Sequence, residues 1–178
     1  MDTPTYYKPI YRTYLRFSLI MLAVALLVGI ATQESAKKAP ISAMLPAGNH
    51  VEATLHLSLV HGHIFLIGVL IPLALTWMLY LGRSLNFAPL SEKSLKWATR
   101  LYLPASALAI GLMLYKGYHF VLGVRSGVTD IALLNDTLFM GNHAIRAAAY
   151  GLTHTAMSVG VFIFIISYWR SMGKEDKA

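Results

Sequence analysis

The chain is expected to be an all-α integral membrane protein, a bundle of four spanning helices, and three observations predict it. Of its 178 residues, 56% are hydrophobic, and the mean hydropathy is +0.56, which suits one membrane domain. Four apolar stretches, at about residues 17–32, 55–81, 97–122 and 144–169, approach or exceed the ~20 helical residues that cross a bilayer core. The third observation is the placement of basic residues. With the N-terminus cytoplasmic, Lys8, Arg12, Arg16, Arg83, Lys93, Lys96, Arg100, Arg170, Lys174 and Lys177 fall on inner segments, leaving Lys37, Lys38, Lys116, Arg125 and Arg146 outside. That is the positive-inside pattern. It predicts both termini in the cytoplasm, and it makes the net charge of +7 a report of topology rather than of a nucleic-acid partner.

The first span is the shortest. Arg12 and Arg16 ahead of it could also describe a signal peptide, but a retained helix is the preferred reading, with Tyr6, Tyr7, Tyr11 and Tyr14 as an interfacial aromatic belt. A loop of roughly 20 residues, Gln33 to about Ala53, follows and is long enough to pack over the outer end of the bundle. The second span contains Pro72 and the third Pro104. Each removes a backbone hydrogen bond and is expected to kink its helix, which neighbouring helices can accommodate. Gly82–Lys96 reads as a polar inner connection. The second outer loop, Gly123–Asn142, has a semi-apolar middle at Ile131, Leu133 and Leu134 suited to the interface, and the tail from Ser171 is short and polar.

Chemistry concentrates in the histidines. There are seven, and no cysteine, so disulfides, thiolate metal sites and covalent c-type heme attachment are excluded. His56, His61 and His63 fall in the outer turns of span two, His119 near the outer end of span three, and His143 and His154 on span four, with His50 in the loop above. Polar side chains at membrane depth are costly and usually functional, and imidazole is the commonest metal ligand. At about 100° per residue, His56 and His63 share a face while His61 points roughly 160° from His63. One helix therefore offers imidazoles to two clefts, a spacing unsuited to chelating one ion. His143, Tyr150 and His154 share a face of span four, with Arg146 close by.

Heme suits this pattern better than a bare ion. A porphyrin fills apolar space between helices, needing only axial imidazoles and cations near its carboxylates. His61, His63 and His154 are the candidate iron or metal ligands, His119 is the next, and Lys116, Arg125 and Arg146 are candidate partners for the carboxylates. Gly62, Gly68, Gly117, Gly151 and Gly160 would admit a flat ring or another helix. The eight methionines form no Met-x-x-Met cluster of the kind expected for copper transport. No H-E-x-x-H occurs and carboxylates are missing from the apolar stretches, which disfavours hydrolytic metal chemistry. Two further readings stay open: a histidine-lined metal or proton transporter, and a non-catalytic assembly subunit of a respiratory complex.

Val60-His61-Gly62-His63-Ile64-Phe65-Leu66-Ile67-Gly68 and Ala149-Tyr150-Gly151-Leu152-Thr153-His154 resemble segments of a family of small bacterial four-helix membrane proteins that share V-H-x-H-x-x-x-x-G and G-x-x-H. The resemblance extends over roughly residues 55–170. The H-x-H helix also resembles the tenth helix of heme–copper oxidase large subunits, and NnrS-type heme–copper proteins. The resemblance implies a plasma-membrane b-type heme protein of the bacterial inner membrane, with copper a further candidate. By analogy with the pseudo-threefold oxidase subunit it implies a homo-oligomer, a trimer among the alternatives, with His61 and His63 facing two clefts completed by His154 or a neighbouring subunit. Two axial imidazoles would serve electron transfer with a quinol or cytochrome partner. An open position would bind nitric oxide or oxygen, and any enzyme activity would be that of a heme-dependent oxidoreductase. No paired His-His is present, so oxygen reduction and proton pumping are not implied.

Overall fold

A computed structural model describes residues 4–38, 43–46 and 49–173. Every regular element among them is helical: α1 (Tyr7–Lys38), α2 (Asn49–His63), a π-helical segment (Ile64–Leu70), α3 (Ile71–Ser84), α4 (Glu92–Arg125), α5 (Ile131–Asp136), a short 3₁₀ turn (Leu138–Gly141) and α6 (His143–Met172). α2, the π segment and α3 form one continuous rod, so four helices are long and apolar enough to cross a membrane. Each is longer than the apolar run that predicts it. Pro40, Gly48 and the basic residues Lys174 and Lys177 lie outside the described residues, as do the side chains of Lys37, Lys38 and His50.

Four antiparallel spans bring Tyr7 of α1 and Met172 of α6 to one end of the bundle, rich in tyrosine, and the histidines toward the other. The tyrosine end is where the sequence reading needs its clearest correction. Tyr7 and Tyr14 are not lipid-facing belt residues: each is 1% exposed, inside a core with Leu75, Leu79, Leu95, Tyr102, Phe164 and Tyr168. Both ends of the Leu90 peptide bond to this group, the Tyr6 hydroxyl donating to its carbonyl at 2.7 Å and its N–H to the Tyr7 oxygen at 2.7 Å. Burial, reinforced by Glu92, raises the Tyr6 hydroxyl above its ordinary pKa and keeps it a donor. α3 stops where Asn86 adopts a left-handed φ of 62°, which lets the Phe87 N–H turn back to the Gly82 carbonyl at 2.9 Å. α4 starts at Ser91, whose side chain accepts the Ser94 N–H.

α4 runs unbroken through Pro104, whereas Pro72 is preceded by the seven-residue π segment. Span two packs on spans one and three, and span three packs along span four. Gly160 permits the last contact, because a Cβ there would stand 2.8 Å from the Tyr102 backbone nitrogen. Span four meets span two chiefly at the tyrosine-end half, α6 against α3. At the histidine end the semi-apolar loop folds into α5, which buries Ile131 and Leu134 against Val121 and Val124, while Leu133 stays exposed. Leu45 from the first loop packs into the same cluster.

Candidate functional site at the histidine end

The histidines of span two divide by face. His61 turns to span one: its Nδ1 donates to the Ala25 carbonyl at 2.8 Å and its ring sits where a Gly29 Cβ would be 3.1 Å away. Phe65 closes edge-on at 5.2 Å. The contact ties two spans together, packed closely over Gly29. His56 turns to span three, its ring 4.9 Å from Phe120. His63, seven residues on, follows His56 rather than His61. Its Nδ1 donates to the Leu59 carbonyl of its own helix at 2.9 Å.

On span four the Tyr150 hydroxyl donates to the Leu112 carbonyl of span three at 3.2 Å. Met157 packs into the cluster of Val60, Ile64, Ile67 and Ile110 from spans two and three. His154 lies between Tyr150 and Met157 on span four and is exposed, its ring 6.5 Å from that of Tyr150. Its Nδ1 donates to the Tyr150 carbonyl at 2.8 Å. α2 and α6 make little or no contact with each other, which leaves a groove between spans two and four at this end, and helical phase turns His63 to the side of span two that bears His56. A carbonyl only accepts, so in each neutral ring Nδ1 carries the proton and Nε2 keeps its lone pair.

A cavity of about 360 Å³ lies at the loop end of span four, lined by Lys116, Asn135, Leu138, Arg146, Ala147 and Tyr150. Arg146 donates to the Asn135 carbonyl at 2.6 Å, and the Lys116 ammonium lies 5.6 Å from the Phe120 ring centre. No carboxylate lines this cavity, so its two cations favour an anion. Arg125 belongs to the end of α4 and is not among the lining residues. His119 points under the connecting segment, where its Nε2 donates to the Leu134 carbonyl and contacts the Thr137 hydroxyl, each at 3.0 Å. His143 is exposed at the first turn of α6.

Among the described residues no three histidine or carboxylate side chains converge as a metal-ion cage. His61 turns to span one, away from the face that bears His63. Tyr150 and Asn135 are site residues that the sequence reading did not single out for the cavity. Tyr150 shared the face of His154 in that reading, but nothing in the sequence showed that a short helix would bring Asn135 over it.

Comparison with known proteins gives no match: no family model, no curated protein and no solved structure is detectably similar to this chain.

Proposed function

We propose that this is a membrane b-type heme protein in which His63 and His154 supply the two axial imidazoles across the groove between spans two and four. The observation that carries this reading is the matched pair of Nδ1–H bonds to the carbonyls four residues earlier, at 2.9 and 2.8 Å. A bond of that kind fixes the tautomer and orients Nε2 as the ligand. Arg146 stands about two turns from His154 toward the loop end, in one cavity with Lys116, where the heme carboxylates would emerge. Bound there, heme would supply one-electron chemistry, and the two imidazoles favour electron transfer over gas binding. The quinol or cytochrome partner, and copper as a companion metal, stay with the motif resemblance.

In the same reading the basic residues put both termini in the cytoplasm of a bacterial cell and the groove in the outer half of the inner membrane. The exposed lip bearing His154 is then open to lipid or to a neighbouring copy in a homo-oligomer. The test is heme titration of purified apoprotein in detergent. One heme per chain is expected for the unmodified chain and for His61→Ala, and none for His63→Ala or His154→Ala in folded protein. Unchanged stoichiometry in both of the last two refutes the assignment.

A further inference from the structure

Span two changes helical register directly below the His61-Gly62-His63 turn. Over Ile64–Leu70 the helix is π, and the Ile71 N–H reaches back five residues to the Leu66 carbonyl. In that register the next carbonyl, Ile67, would be served by the N–H of residue 72, which is proline. In the α register its donor would be the Ile71 N–H, already given to Leu66. The hydroxyl of Tyr102, on span three, fills the vacancy at 2.6 Å, from a ring 1% exposed. Pro72 also accounts for the register itself. In an α-helix its ring would press on the carbonyl of Gly68, and the wider π turn relieves that clash. Span one tolerates the widened turn only because residue 68 is glycine: a Cβ would stand 2.8 Å from the Met21 Cβ.

We infer that Tyr102 is a positioning residue. By capping the Ile67 carbonyl it holds the π register, and the register sets the rotational phase of the histidine turn. One residue more or less in the register turns everything beyond it by about 100°. In the present phase His61 meets Ala25 and Gly29, and His63 meets the groove. An all-α span two would carry His61 off span one and His63 out of the groove. The bearing of this phase on heme ligation rests on the function proposed above, whereas the phase itself is testable without heme.

The chain has no cysteine, so an introduced pair reports the phase. A Cβ at residue 29 would lie 3.1 Å from His61 Cε1 and 3.8 Å from its Cγ, so side chains at 29 and 61 meet in this phase and an introduced cysteine pair there can be trapped by oxidation. In apoprotein carrying Gly29→Cys and His61→Cys, mild oxidation is expected to form this disulfide rapidly. Adding Tyr102→Phe orphans a buried carbonyl and is expected to slow formation about tenfold. Adding Pro72→Ala removes the ring clash with the Gly68 carbonyl and supplies an N–H that either register can use, so the intrinsically favoured α register is expected to prevail and to slow formation similarly. Far-UV circular dichroism and a single elution peak identify folded protein. An unchanged rate in folded Tyr102→Phe overturns the assignment, and so does a loss confined to Pro72→Ala. If Tyr102→Phe does not fold, an unchanged rate in Pro72→Ala overturns the register argument and a slowed one upholds it. Failure of the heme titrations leaves this result standing, and failure here leaves those titrations unaffected.

Discussion

Replacing His61 or His63 by alanine separates a histidine that joins two spans from one that bonds only within its own helix. His61→Ala removes a cross-span hydrogen bond at 2.8 Å and the packing of the imidazole on Gly29 and Phe65. A net hydrogen bond contributes ~0.5–1.5 kcal/mol, with interhelical bonds in membranes averaging ~0.6 kcal/mol. The Ala25 carbonyl lies within α1 and keeps its own helical donor, so no orphaned acceptor adds to the loss. Truncating a half-buried ring contributes about 1 kcal/mol more. The expected total is about 2 kcal/mol. His63→Ala loses only a bond to its own helix, whose Leu59 carbonyl is likewise already paired, and should change stability by ~0.5 kcal/mol or less. Equilibrium unfolding of the apoprotein in mixed micelles, followed by far-UV circular dichroism, measures both. Equal destabilisation by the two substitutions would refute the division of faces.

Other expectations concern packing, charge and capping. Gly160→Ala would drive a Cβ to 2.8 Å from the Tyr102 nitrogen and 3.0 Å from the Ala98 carbonyl, and should cost ~1–3 kcal/mol. Gly151→Ala, with open space around it, should be neutral or stabilising by up to ~1 kcal/mol. Thermal unfolding of the pair in one detergent checks the contrast. Lys116→Ala and Arg146→Ala should each weaken heme affinity by about tenfold or more, with stoichiometry kept, in a titration against the unmodified chain. Ser91→Ala removes the cap of α4 and should cost ~1 kcal/mol, read in the same unfolding assay.

Hydropathy and the spacing of apolar runs made the four spans legible, because lipid demands long internally bonded helices whatever the fine packing. The phase of helix two was legible as well: a 200° step between residues 61 and 63 separates them on any helix. The identity of the neighbour on each face was not. That depends on contacts such as Gly29 beneath His61, which couple residues far apart in sequence. Pro72 signalled a lost hydrogen bond, but whether a helix answers with a kink or a π turn depends on a donor from another span, here Tyr102. The tyrosines near the N-terminus suited an interfacial belt by composition. Tyr7 and Tyr14 are buried because the connection at Leu90 folds back onto them, a long-range pairing that no local pattern encodes. Of the three cations that the sequence set at the outer boundary, Lys116 and Arg146 line one cavity and Arg125 does not; the cavity itself was not legible, since Asn135 arrives on a six-residue helix.

The decisive measurement is the optical spectrum of the detergent-purified protein, oxidised and dithionite-reduced, before and after addition of carbon monoxide, with a pyridine hemochrome assay. The account predicts b-type heme with a Soret band that sharpens on reduction, resolved α and β bands, and no shift with carbon monoxide, because both axial positions are held by His63 and His154. A protein that is colourless and takes up no added heme would contradict it.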